Sequence, residues 1–295
     1  MPLSLRMPAT TLLTLLVGCG DGLGPLPGFE DDEPGAAILV GSGDIALCNG
    51  RWDEATAELL DGIPGIVFTT GDNVYPDGTE HDFETCYAPS WGRHRSRTRP
   101  SAGNHEYEVA GAAGYFKYFG DRAGPAGAGY YSYDHGSWHI IVLNSNLSLG
   151  AGSAQLRWLK EDLNASTARC TLGYWHHPHF TSSPGPEWDN RIETALRVLH
   201  EAGAEVILSG HAHNYERFAP QTPWGTADDE RGIRQFVIGT GGAELHGFGP
   251  PAPHSEIRGR AYGVLRLALR ENGYSWRFVS VAGEHFTDSG SDECH

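Results

Sequence analysis

The sequence predicts an α/β fold built on layered sheets, and three observations lead there. Short apolar runs recur along the chain, each ending in a polar loop dense in Gly, Asp, Asn or His. Helical patterns lie between several of these runs. The last two apolar segments alternate in polarity and flank a hairpin signal. A helix buries one stripe and a sheet one face, so alternating elements must pack as layers.

The elements follow in order from residue 36. "AAILV" (36–40), "GIVFTT" (65–70), "HIIVLN" (139–144), "CTLGYW" (170–175), "EVILS" (205–209) and "QFVIG" (235–239) are near-continuous in hydrophobicity. That pattern suits strands buried on both faces. "DEATAELLDG" (53–62) predicts a helix with an acidic first turn that closes at Gly62. "SAQLRWLKEDLNA" (153–165) starts at Ser153 as N-cap and sets Leu156, Leu159 and Leu163 on one side. "WDNRIETALRVLHEAG" (188–203) closes on a Gly C-cap. "YGVLRLALR" (262–270) and "YSWRFVSVAG" (274–283), joined by "ENG", predict a hairpin and a second, partly antiparallel sheet at the C-terminus. Residues 36–295 read as one domain.

The 295 residues include 8 Trp, 12 Tyr and 11 Phe, enough aromatic mass for a packed core. A formal net charge of -16 argues against a nucleic-acid backbone as the main partner. An anionic substrate stays open, because bound metal ions invert the local field. Oligomeric state is not legible.

The first residues stand apart from the fold. "MPLSLRMPATTLLTLLVGCG" has one cation, Arg6, followed by an apolar stretch too short to span a bilayer and suited to a signal peptide over 1–18. Leu16-Val17-Gly18-Cys19 resembles a bacterial lipobox, which implies lipid on Cys19; the other reading is an ordinary secretory signal. Residues 19–35 read as a flexible linker. Export is expected, with the protein lipid-anchored at the cell envelope or secreted. Cys48, Cys86, Cys170 and Cys294 remain, and four cysteines allow three pairings. No two have zinc-knuckle spacing, so disulfides are expected. The expected pairs are Cys48–Cys86, bracing the loops of Asp44 and Tyr75, and Cys170–Cys294, tying the C-terminal tail to a strand.

The chemistry-bearing residues sit where apolar runs end: Gly43-Asp44, Gly71-Asp72-Asn73-Val74-Tyr75, Gly103-Asn104-His105-Glu106, His176-His177-Pro178-His179 and Gly210-His211-Ala212-His213. Taken singly, each has an ordinary reading as a turn or a surface loop. Together they are five loops rich in oxygen and imidazole donors, and ligand sites of open α/β sheets form at strand carboxyl ends. A strand extended through residue 177 points His176 and His177 to opposite faces, so one of the pair is expected at the cluster. In an extended His-x-His, both imidazoles of His211 and His213 face one side.

The ordered set GD, GDxxY, GNHE, a histidine after a later strand, and GHxH resembles the calcineurin-like metallophosphoesterases; the GDxxY form resembles their purple acid phosphatase branch. The resemblance implies a four-layer α-β-β-α sandwich with a dinuclear metal site at the strand C-terminal edge. Asp44, Tyr75 and His213 match ligands of a first metal; Asn104, His176 and His211 match ligands of a second; Asp72 matches the bridging carboxylate. His105 matches the histidine that contacts substrate phosphate and protonates the leaving group. His177 is a further catalytic candidate, and His179 a substrate-side or solvent-exposed one. Ala46, Gly173 and Ala212 depart from the common pattern, and a histidine pair farther along the fourth loop is missing, which leaves the substrate contacts open.

The chemistry agrees with the resemblance. Two cations about 3.5–4 Å apart can share a hydroxide and clamp a phosphate for in-line displacement. Three anionic oxygens, one a phenolate, favour a trivalent ion. Fe(III) is therefore expected at the Tyr75 site and a divalent ion (Zn, Fe, Mn or Mg) at the other. The expected activity is hydrolysis of a phosphorylated small molecule, of acid phosphatase type. The alternatives are a phosphodiesterase, a nucleotide pyrophosphohydrolase, and a non-catalytic metal-binding surface lipoprotein; retention of His105 speaks against the last.

Overall fold

The computed structural model describes residues 35–184 and 192–295. Residues 1–18, read as a signal peptide, Cys19 and nearly all of the segment read as a linker lie outside the described residues, as does the start of the helix read at 188. Two sheets form the centre, with strands numbered in chain order. The first contains β1 (Ala37–Ser42), β2 (Ile66–Thr70), β3 (Thr98–Ser101), β11 (Gly263–Arg270), β12 (Gly273–Ser280) and β13 (Ser289–Glu293), in the order β13-β12-β11-β1-β2-β3. The second contains β4 (Tyr131–His135), β5 (Trp138–Val142), β6 (Cys170–Tyr174), β7 (Ala204–Ser209), β8 (Tyr215–Phe218), β9 (Arg234–Ile238) and β10 (Ser255–Gly259), in the order β10-β8-β9-β7-β6-β5-β4.

Alternation along each strand divides the core. Ile140 enters the layer between the sheets, where Leu39, Phe68, Leu265 and Leu267 meet Leu172, Val206 and Phe236. Its neighbour Ile141 points the other way and packs with Ile207 beneath two helices, α3 (Ala154–Ala165) and α4 (Glu193–Glu201), which contribute Leu156, Leu159, Leu196 and Leu199. Helix α1 (Trp52–Gly62) packs against β11, burying Ala57, Leu59 and Leu60. A short helix, α2 (Ala113–Phe119), lies between β3 and β4. The expected helix–sheet–sheet–helix layering is what forms. Ser153 caps α3 as read, its Oγ accepting from the Leu156 N–H at 3.2 Å.

The C-terminal hairpin corrects one expectation. β11 and β12 do not start a second sheet; β11 pairs antiparallel with β1 from Ala37↔Leu269 to Gly41↔Leu265, completing the first. Leu265, Leu267 and Leu269 reach the inter-sheet core, so joining β1 buries the apolar face of the hairpin. The second sheet is assembled earlier, from residues 131–259. Five strands went unread: β3, β4, β8, β10 and β13. Each is polar or short, and β3 carries Pro100, which is tolerated because β3 is an edge.

Both expected disulfides form. Cys48 bonds Cys86 and Cys170 bonds Cys294, with Cα separations of 4.6 and 5.8 Å. The first ties the segment after Asp44 to a turn of helix after Tyr75; the second fixes the tail beyond β13 to the start of β6. Serine at both positions of either pair is expected to cost about 2–4 kcal/mol, because the unfolded chain regains loop entropy. Urea midpoints check this, and an unchanged midpoint for the Cys170/Cys294 variant, whose crosslink spans 124 residues, would refute it.

Candidate metal centre

All five loops converge at the carboxyl ends of strands. Asp44 follows β1, Asp72 and Tyr75 follow β2, Asn104 follows β3, His176 follows β6, and His211 and His213 follow β7. Asp44 and Asp72 have φ of 58° and 47°, so they are turn residues and cluster residues at once. Left-handed backbone is unfavourable for side-chain-bearing residues and persists where the surroundings enforce it. Here the glycines leave room. A Cβ on Gly103 would stand 2.1 Å from Asp72 Oδ1, and one on Gly210 would stand 2.6 Å from Asp44 Oδ2.

The donors form two groups. In one, the Tyr75 hydroxyl lies 3.1 Å from Asp44 Oδ1 and 3.0 Å from His213 Nε2, with His213 Nε2 also 3.1 Å from Asp44 Oδ1. In the other, His176 Nε2 lies 3.0 Å from Asn104 Oδ1 and 3.1 Å from His211 Nδ1. Asp72 Oδ2 touches both, at 3.2 Å from the Tyr75 hydroxyl and 3.2 Å from His176 Nε2. The seven residues expected to hold metal are therefore together, with Asp72 between the groups.

Hydrogen bonding around the cluster points lone pairs inward. A carbonyl can only accept, so His176 Nδ1 donates to Thr70 at 2.8 Å and His213 Nδ1 donates to Glu244 at 2.8 Å. A cation would take each ring in its neutral form, with the Nε2 lone pair facing the cluster; against burial, the charge of Asp72 raises the His176 ring to about 9. The Tyr75 hydroxyl has one proton for three acceptor contacts. Without a cation the arrangement is costly. Burial, then the charges of Asp44 and Asp72, push the Tyr75 phenol well above its ordinary range. Burial, with His176 nearby, brings His211 down to about 4. Burial opposes the charge on Asp72, but His176 outweighs it and holds the carboxyl below the usual range. Convergent oxygen and imidazole lone pairs with fixed rings are what a pair of cations requires, and the residues present fit such a pair.

Two geometric expectations are corrected in their reasons. His211 and His213 do not lie on extended backbone; their φ values are 67° and 47°, and it is this left-handed turn that brings both rings to the cluster. β6 ends at Tyr174, so the alternation rule stops before the histidines. His176 and His177 consequently do not diverge: their ring centroids are 4.9 Å apart, and that of His177 is 4.7 Å from that of His211. His177 Nδ1 is tied to Ser145 Oγ at 2.7 Å. His179 turns away, donating to the Pro223 carbonyl at 3.0 Å and packing on Phe180. His105 lies at the rim, its backbone N–H on Asp72 Oδ1 at 2.9 Å, its Nε2 3.9 Å from Asp72 Oδ2 and its Nδ1 donating to the Pro76 carbonyl.

Sequence reading gave no role to Glu106, although it adjoins His105. This buried carboxylate accepts backbone N–H bonds from Asn73 at 2.8 Å, Val74 at 3.3 Å and Gly103 at 2.6 Å, bracing two ligand loops at once. Burial and the charge of Asp72 push it up to about 7. His246 was also missed; its ring stacks on His213 at 4.2 Å. It lies 33 residues beyond His213, outside any of the five motifs, so only folding reveals it.

A family model described as calcineurin-like phosphoesterase matches residues 35–215. This chain belongs to that family. The chain is similar to Purple acid phosphatase 15 of Arabidopsis thaliana, 26% identical over 245 residues, which cover 71% of this chain and 45% of the relative. It is also similar to a nucleotide pyrophosphatase/phosphodiesterase of Hordeum vulgare, 25% identical over 279 residues, covering 80% and 74%. The solved purple acid phosphatase from yellow lupin (Lupinus luteus) seeds shares the fold, with a TM-score of 0.66 at 18% identity over 87% of this chain and 53% of that one. The chain spans less than half of the length of these Arabidopsis purple acid phosphatases.

Proposed function

We propose that this protein hydrolyses phosphate monoesters at a dinuclear metal centre. The observation that carries the reading is Asp72, buried between two donor groups and in contact with both. Asp44, Tyr75 and His213 would hold one ion, Asn104, His176 and His211 the other, and Asp72 both. Bound there, the ions supply Lewis acidity toward a phosphoryl oxygen and a lowered pKa for water. The chain supplies the rest. His105 and His177 border the donors on two sides, one tethered through Pro76 and the other through Ser145, so each ring is aimed before substrate arrives. His105 Nε2 is the atom placed to give a proton to the departing alcohol, since its Nδ1 is committed to a carbonyl. The barley relative supports a second reading, cleavage of diesters or pyrophosphates at the same site.

Tyr75 argues for Fe(III) in the first position, because phenolate is a hard anionic donor and two carboxylates stand beside it. The second ion is divalent. Purified protein is expected to contain two metal equivalents, to be coloured by phenolate-to-iron charge transfer, and to turn over p-nitrophenyl phosphate faster than bis(p-nitrophenyl) phosphate. Tyr75→Phe is expected to abolish the visible band. An active, iron-free, colourless enzyme would remove iron from the proposal, and metal-loaded protein inert on both esters would remove hydrolysis.

Two disulfides support export, since such bonds persist in oxidising compartments. The apolar run ending in Cys19 supports a lipid anchor. Cys19→Ala is expected to move the protein from the membrane fraction to the soluble one; an unchanged distribution argues for plain secretion or another anchor.

A further inference from the structure

The stretch "RHRSRTR" (93–99) places four of the chain's 21 basic residues within seven positions. The fold uses two of them internally. Arg93 pairs with Glu54 at 2.8 Å and Asp61 at 2.9 Å. Arg97 donates to the carbonyls of Leu60, Ile63 and Gly65 at 2.6–3.0 Å, closing the end of α1. Arg95 and Arg99 do neither. Both line a cleft of about 670 Å³, together with Arg122, Ser132 and Tyr133. The cleft lies where the two sheets meet at their edges: β3 ends the first sheet, β4 ends the second, and the Tyr131 hydroxyl donates to the Pro100 carbonyl across the seam at 2.8 Å. None of the seven metal donors lines it.

Among the described residues, none of the three arginines has a carboxylate within ion-pair distance, and Asp121 is the only acid in the lining. Two of the guanidinium groups are oriented by aromatic rings: Arg95 stands 4.8 Å from the Tyr118 centroid and Arg99 stands 5.6 Å from that of Tyr133. Such contacts hold a guanidinium in place while leaving its N–H fork free. Three guanidiniums against one carboxylate repel one another in an empty cleft and attract an anion. Their planar forks match phosphate oxygens two at a time. The cleft is larger than one inorganic phosphate fills and within the range of small-molecule sites.

We propose that this sheet-edge cleft is a second anion site, separate from the metal centre, that binds a ligand carrying two or more phosphate groups. Arg99 and Arg122, both half-buried, form its floor, and the exposed Arg95 its rim. The overall charge of -16 conceals it; Arg95 and Arg99 are close neighbours in sequence, and folding adds Arg122 to them. The ligand is either a free polyphosphorylated molecule or the headgroups of an anionic membrane, and the chemistry that recognises them is shared.

The test uses metal-loaded protein, methylenebisphosphonate as a soluble probe that cannot be hydrolysed at its P–C–P bridge, and phosphatidylcholine vesicles with and without phosphatidylglycerol. A saturable bisphosphonate event additional to the one at the metal centre, weakened at least tenfold in R95S/R122S and partly restored in R95K/R122K, is the expected result for a free ligand. Vesicle binding that requires phosphatidylglycerol and is lost in R95S/R122S, without the soluble event, assigns the site to headgroups. Binding of either probe beyond the metal centre that is equal in wild type and variant, or no binding of either beyond the metal centre, overturns the proposal. Monoester turnover is expected to be unchanged in R95S/R122S. Should that variant melt early, Arg95→Glu, at an exposed position, carries the same comparison.

Discussion

The Asp72→Asn variant is expected to lose both metal ions and at least about 10³-fold in kcat/KM, or about 4 kcal/mol of transition-state stabilisation. Asp72 is the carboxylate that touches both donor groups, at 3.2 Å from Tyr75 and 3.2 Å from His176. Asparagine keeps the size and can still accept from the His105 N–H, so the loop is expected to hold its shape. What goes is the negative charge, and with it the share of attraction that each cation draws from a common oxygen. Gly103→Ala approaches the same carboxylate from outside. Its new Cβ would stand 2.1 Å from Asp72 Oδ1 and 2.3 Å from Asp72 N, so the carboxylate must move without any donor being deleted. Metal analysis and steady-state kinetics on both variants make the check. Two full metal equivalents and activity within tenfold of wild type in Asp72→Asn would dismiss its bridging role.

The fourth-loop histidines are expected to separate by what each removal takes away. His176→Ala deletes a fully buried ring whose Nε2 sits among Asn104, Asp72 and His211, so occupancy of the divalent position and the rate fall together. Excess divalent metal should return part of the activity. His177→Ala removes a ring beside the donors that is tethered through Ser145, and metal content should stay near normal while kcat/KM drops about 10–10³-fold, roughly 1–4 kcal/mol. His179→Ala should be mildest, because that ring is committed to Pro223 and Phe180. The proximity of His177 to both His176 and His211 sharpens the test. If His177→Ala loses metal while His176→Ala keeps it, the ligand assignment is off by one residue.

The sequence by itself determined the features that depend on local backbone and residue chemistry. Short near-continuous apolar runs bounded by turn residues marked six strands, and a glycine before an acid or histidine permits a sharp turn, so the five donor-rich loops were legible; the choice of seven metal donors among their residues came from the resemblance to the metallophosphoesterases and stands as a proposal. Pairing of Cys48 with Cys86 followed because both flank those same loops. Tertiary structure alone decided the rest. β3 and β4 are stabilised by the neighbour they pair with, not by their own hydrophobicity, and the "TRPS" and "YSYDH" segments carry little strand signal. The C-terminal hairpin could close on itself or join another sheet; burial of Leu265 and Leu267 against the second sheet chose β1. His177 faces the cluster because β6 stops at Tyr174, and where a strand stops is set by the strands beside it. The roles of Glu106 and His246, and the separation of Arg95 and Arg99 from the internally paired Arg93 and Arg97, were not legible in the sequence. Each depends on at least one partner far away in the chain, Glu106 on Asn73, His246 on His213 and Arg99 on Tyr133, and a distance through space is not written in the order of residues.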